Sequence, residues 1–204
     1  MRKRPVIFIS LVLLVALFTG GATYALFTSS ANTTAATLQA GTVLVDVVRD
    51  LGDPIPGPMF YTTKEQGLMS GQDISDIVNP TGLWKPGDVH TRNLDVKNVG
   101  SLTYRINGVS ADLYNISDEA YQEFAQKLNV KVYVASQPTQ VLYDGTLAGL
   151  LSGTVTCVAK PQGAVGSVIQ LAFEATLDIG AGNILQAAEP KVDFAVYVEQ
   201  VRNN

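Results

Sequence analysis

His90 and Cys157 are the only histidine and the only cysteine in 204 residues, and that scarcity narrows the chemistry at once. A multi-histidine metal site cannot be assembled within one chain, and no His-Glu-x-x-His is present. A Ser-His-Asp triad through His90 is formally open, but there is no Gly-x-Ser-x-Gly elbow and no phosphate-cradling glycine loop. His90 lies in Asp88-Val89-His90-Thr91-Arg92 and reads as a residue on the polar face of a strand. Cys157 has no partner for an intrachain disulfide. It alternates with Val155 and Ala159, the pattern of a small buried hydrophobe in a strand rather than of an activated thiol.

The acidic residues come closest to a ligand set. Asp46, Asp50 and Asp53 fall close together, and Asp73 and Asp76 precede Asp88 across a loop-rich stretch. Calcium needs six to eight oxygens. No Asp-x-Asp-x-Asp loop with a closing Glu appears, so these read as solvated surface charge. Tyr61, Tyr104, Tyr114, Tyr121 and Trp84 are the aromatics from which a sugar-binding face would have to be built. Asn32-Thr33-Thr34 and Asn115-Ile116-Ser117 match the glycosylation tripeptide. No catalytic residue, metal or cofactor is expected.

The elements around these residues begin with a three-part leader. Arg2, Lys3 and Arg4 precede an apolar run from Val6 to Phe18 broken only by Ser10, and Thr23-Tyr24-Ala25 follows. A basic tip, a short apolar core and a small-residue exit are the parts of a secretory signal peptide. The run falls short of the roughly 18–20 residues of a spanning helix. Thr23 and Ala25 suit the −3 and −1 pockets of a signal peptidase, so the expected organisation is a signal over 1–25, cut between Ala25 and Leu26. Any membrane association then runs through the uncleaved signal alone. Cleavage removes three of the 14 basic residues and none of the 18 acidic ones, taking the net charge from −4 to −7. An acidic exported domain without a basic block excludes nucleic acid as the expected partner.

Period-two alternation dominates the rest. Ile169, Leu171, Phe173, Ala175, Leu177 and Ile179 alternate with mostly polar or small residues; so do Val192, Phe194, Val196 and Val198, Val130 to Val134, and Tyr104 with Ile106. Gly/Pro clusters at 52–58, 85–88 and 160–163 separate these runs. One helix is expected over about Ser117 to Leu128, capped by Ser117, with Ala120, Phe124 and Leu128 as its apolar stripe. A second short helix is expected around Thr146 to Leu151. Strands that bury one face and wet the other make an antiparallel sandwich, here crossed by one or two short helices.

The new N-terminus stands apart. Leu26-Phe27-Thr28-Ser29-Ser30-Ala31-Asn32-Thr33-Thr34-Ala35-Ala36-Thr37 is uncharged, lacks Pro and Gly, and carries no helical stripe. It reads either as a fraying terminus or as a strand with no partner in its own domain, able to add to another subunit's sheet edge.

Several short motifs then occur in order. Gly21-Ala22-Thr23-Tyr24-Ala25-Leu26-Phe27 precedes Ala40-Gly41-Thr42-Val43-Leu44-Val45. Trp84-Lys85-Pro86-Gly87-Asp88 follows, then Asn98-Val99-Gly100-Ser101-Leu102, and finally Asn183-Ile184-Leu185-Gln186 ahead of Phe194 to Gln200. This set resembles the TasA/camelysin family of exported proteins, with Trp84 where Leu is usual, Val99 in place of a second Asn and Ala187 in place of Gly. Residues 50–80 match nothing in it and read as a variable loop or insertion. The turn at Lys85, Pro86, Gly87 and Asp88 has the residues of a type II turn, and Asn98, Gly100 and Ser101 are expected to reverse one strand into the next.

The resemblance implies a jelly-roll-like β-sandwich over 38–204, preceded by a donor strand over 26–37. It implies cleavage by an endoplasmic-reticulum-type signal peptidase. It implies a structural subunit of biofilm-matrix fibres, polymerised head to tail as each N-terminal strand inserts into the next copy, with an anchoring or minor co-assembling subunit as a further partner. The donor residues would be Leu26, Phe27, Thr28, Ser29, Ala31, Thr33 and Ala35. The alternatives are a secreted metalloendopeptidase, because part of the family carries the camelysin name, and a monomeric adhesion or carbohydrate-binding sandwich.

Overall fold

The computed structural model describes residues 28–32, 43–50, 58–68, 73, 79–182 and 188–201, with 28–32 and Asp50 as backbone. Among the described residues eleven strands form two sheets, and every strand pairing in them is antiparallel. One sheet runs β2 (Val45–Asp50), β4 (Val89–Asn98), β10 (Val168–Leu177), β6 (Leu128–Val134) and β7 (Gln137–Thr146). The other runs β1 (Thr28–Asn32), β11 (Lys191–Gln200), β5 (Tyr104–Leu113) and β8 (Val155–Thr156), with β3 (Phe60–Tyr61) on β11 and β9 (Gln162–Gly163) on β5. Three short helices complete the described chain: α1 (Lys64–Gly67), α2 (Glu119–Lys127) and α3 (Leu147–Leu151). The fold is the expected all-β sandwich.

The alternating runs become the facing walls. Leu171, Phe173 and Ala175 of β10, Leu94 and Val96 of β4 and Val130 and Val132 of β6 are buried against Ile106, Val109, Val192, Phe194, Val196 and Val198 of the other sheet. Phe173 meets Phe194 across the sheets at 4.7 Å between ring centroids. From there an aromatic chain continues through Phe60 (6.0 Å), Trp84 (6.1 Å) and Phe124 of α2 (5.6 Å). Edge-on contacts at such distances add about 0.5–1.5 kcal/mol per pair to the burial of the rings. Ile179 lies beyond the end of β10 and is exposed, so the alternation stops two residues short of the expected run.

Four expectations need correction. The cap of α2 is Asp118, whose Oδ1 accepts from the Ala120 amide at 2.8 Å, rather than Ser117; a carboxylate there also meets the helix dipole favourably. The segment Asn98 to Leu102 is not a hairpin. β4 and β5 belong to different sheets, and the turn carries the chain from one to the other. Asn98 makes that crossing possible: it is 1% exposed, and its Nδ2 donates to the carbonyls of Leu102 and Gly163, both at 2.9 Å. Its Oδ1 takes the Gly100 amide at 3.0 Å.

Third, the 50–80 segment, read as a variable loop or insertion, is not all loop. Met59, Phe60 and Tyr61 are fully buried, and β3 pairs with β11 at Lys191 and Val192. Fourth, His90 has the inward parity of β4 and packs edge-on against Trp84 at 4.5 Å. Burial, then the Arg92 charge, lower its pKa, against a smaller upward pull from Asp88.

The Lys85–Asp88 turn forms as read. The Asp88 amide donates to the Lys85 carbonyl at 2.9 Å, and Gly87 takes φ +89°, a conformation that favours glycine. The Lys85 amide donates back to Asp88 Oδ2 at 2.7 Å. The Gly87 amide and the Leu177 carbonyl then fasten the turn to the end of β10 at 2.9 Å.

Candidate assembly edge

β11 is the strand around which the second sheet is organised. Its even-numbered residues from Val192 to Val198 fill the core, and β5 pairs along one side from Val192 to Gln200. The other side is shared by two short strands in tandem, β3 at Lys191 and Val192 and β1 from Ala195 to Glu199. β1 is the terminal strand of the sheet's path. Thr28 stands opposite Glu199, Ser29 opposite Val198, Ala31 opposite Val196 and Asn32 opposite Ala195.

The N-terminal strand therefore has a partner within its own chain, contrary to the expectation that it has none. The physical reason is an open row of N–H and C=O groups on β11, which a tethered strand meets at high effective concentration. Leu26, Phe27, Thr33 and Ala35, the cleavage site at Ala25, and Asn183 to Gln186 lie outside the described residues.

Charge is concentrated at both ends of this edge. At the Thr28 end, Arg105 Nε donates to Glu199 Oε1 across β5 and β11, an ion pair in which Glu199 is largely buried. Just past the Asn32 end, Asp193 is 7% exposed and in register with Asp112 of β5. Burial raises its carboxyl from 3.8 to about 7; the Phe194 amide, at 2.8 Å from Oδ1, opposes this, Asp112 adds to it, and Arg49 and Lys191 pull it back.

The native state thus keeps a proton that the unfolded chain releases near pH 4, so stability falls as pH rises from about 4 to about 7. Asp193→Asn keeps an acceptor for the Phe194 amide. It should flatten that slope and add about 2 kcal/mol at pH 8. Urea denaturation at stepped pH measures this, and a slope left unchanged by the substitution refutes the assignment.

Two inward-facing cations gave no motif in the sequence. Arg49 of β2 is 2% exposed; its Nη1 donates to the Pro58 carbonyl at 2.6 Å and its guanidinium lies 5.5 Å from the Tyr61 ring. Arg92 of β4 is 7% exposed and donates to the carbonyls of Met59 and Asn79. It also lies over the rings of Phe60 and Tyr61, at 5.2 and 4.8 Å. Together they hold the 58–62 segment in place, so that β3 covers the first residues of β11. Their positions at the same parity as the buried Val45 and Val47 of β2 and Leu94 and Val96 of β4 were the available signal.

The residues weighed for chemistry do not converge. Cys157 is buried just after β8, and burial pushes its thiol up to about 12, against a small opposing effect of Lys160. That is an unreactive thiol at neutral pH. Among the described residues, no group of three His, Cys, Asp or Glu side chains could hold a metal ion. Tyr61, Tyr104 and Trp84 are interior, while Tyr114 is exposed, so the five aromatics do not share a sugar-binding face. Tyr104 instead ties the sheets, its hydroxyl donating to the Val96 carbonyl at 2.9 Å. Among the described residues no helix is long and apolar enough to cross a membrane. Comparison with protein-family models and with curated protein sequences finds no match.

Proposed function

We propose that this chain is an exported structural subunit that polymerises head to tail, each copy lending its N-terminal strand to the β11 edge of the next. The observation that carries the reading is the place of β1: a five-residue terminal strand registered against Ala195 to Glu199 of its own chain. A slot filled by the chain's own end is filled equally well by the same segment of a second copy. The exchange costs no strand pairing, and a heterologous contact that does not close extends into a filament. The motif order shared with the TasA/camelysin family supports the same reading and adds the expectation of a matrix fibre outside the cell, with a co-assembling or anchoring subunit as partner.

Export requires processing, and the leader supplies the test. Ala25→Phe places a bulky ring in the −1 pocket of the endoplasmic-reticulum-type signal peptidase expected to cut before Leu26. The precursor should then accumulate in the membrane fraction, with secreted protein reduced at least about tenfold. N-terminal sequencing of the secreted wild-type chain should begin at Leu26, and a start well beyond Phe27 would overturn the site. For assembly, electron microscopy of the purified mature chain should show filaments.

A further inference from the structure

On the flank formed by β7 and β9, four glutamines from three strands line one open groove of about 520 Å³. Gln137 and Gln140 come from β7, Gln162 from β9 and Gln170 from β10. Three aliphatic residues share the lining: Val168, half exposed, and Val134 and Ile169, at 7% and 9% exposure. Lys160 is the one charged residue of the lining.

Two contacts orient the amides. Gln140 Nε2 donates to Gln137 Oε1, which leaves the Gln137 amino group as donor and the Gln140 carbonyl as acceptor. Gln170 Nε2 donates to Asp95 Oδ1 at 2.9 Å, fixing the direction of that side chain. A carboxamide offers a donor pair and an acceptor without charge. Several of them beside the half-exposed Val168 suit a ligand with dense neutral hydroxyls and an occasional C–H face.

An extended peptide is the competing neutral ligand, and the local backbone counts against it. Pro138 has no N–H to give an added strand. Farther along β7, the Val141 and Leu142 carbonyls already accept the Ala159 and Val158 amides, at 3.1 and 3.0 Å. Strand addition, the commonest way to seat a peptide on a sheet edge, is obstructed at Pro138, Val141 and Leu142.

We infer that this groove binds a neutral polysaccharide chain, its hydroxyls paired with the carboxamides of Gln137, Gln140 and Gln162 and a C–H face resting on Val168. The site is independent of the assembly edge and needs neither cleavage nor filaments. Isothermal titration of the mature protein with soluble dextran, laminarin and mannan, with alginate as a polyanion, tests it.

At least one neutral polymer should bind, and the Gln137→Ala/Gln162→Ala double variant should bind it about tenfold more weakly at an unchanged thermal midpoint. Both side chains are exposed, so the variant is expected to fold. Three results would each overturn the inference: no binding to any neutral polymer, binding undiminished in the double variant, or binding to alginate alone through Lys160.

Discussion

Chains that begin at Leu38 should fold, remain monomeric and form no filaments, whereas chains that begin at Leu26 should polymerise. The expectation follows from the division of labour in the second sheet. β11 is held along its full inner side by β5 and at its first two residues by β3, so its core-facing residues keep their packing without β1. What the truncation removes is the main-chain pairing along Ala195 to Glu199. In a filament those bonds join neighbours, and together with Leu26 and Phe27, each worth about 1.5–3 kcal/mol if buried in the neighbour, they must outweigh the ordering cost of association.

Without the strand no contact of this kind is left, so the loss is all-or-none rather than graded. Phe27→Asp should weaken assembly at least about tenfold by placing a charge where an apolar ring is expected, with no change in the unfolding midpoint. Size-exclusion chromatography and negative-stain microscopy of the three proteins decide the matter. Filaments formed as readily from the Leu38 chain as from the Leu26 chain would end the strand-exchange reading.

The same edge shows what a sequence can and cannot disclose. Alternation in Ile169 to Leu177 and in Val192 to Val198 located β10 and β11, because strands buried on one face carry their period in every second residue. Pro86 and Gly87 specified their turn because backbone φ preferences are local. Partner choice is not local. Asn98 to Ser101 has the composition of a hairpin turn, yet it joins two sheets because the buried Asn98 side chain supplies the turn's hydrogen bonds from within. Met59 to Tyr61 follows a Pro/Gly cluster and is too short to show a period, so its place in the core was invisible. The N-terminal strand looked partnerless for a related reason: its pairing to β11 depends on a sheet edge formed more than 160 residues later.

Arg92→Ala should be severely destabilising, lowering stability by about 3–5 kcal/mol. The reason lies in what is left behind. Replacing a buried ion pair by apolar groups is often harmless, because both charges leave together. What decides the outcome here is that Arg92 donates to the main-chain carbonyls of Met59 and Asn79, and no side-chain substitution can remove those acceptors. Met59 is fully buried, so its carbonyl would lose its donor where replacement by water is hardest. The cation–π contacts to Phe60 and Tyr61 vanish as well.

Arg92→Lys retains the charge but not the planar fork that reaches two carbonyls at once. It should therefore recover only part of the loss, about 1–2 kcal/mol. Arg92→Met restores apolar volume without donors and should stay close to Arg92→Ala if orphaned carbonyls dominate. Urea unfolding of the Leu38 chain and its three variants, free of assembly, separates these terms. Because Arg92 holds β3 against β11 outside the Ala195–Glu199 register of β1, full-length Arg92→Lys should still polymerise at temperatures where it is folded. Stability of Arg92→Ala within about 1 kcal/mol of the parent would show that the guanidinium is a passenger in the core rather than the clamp on the 58–62 segment.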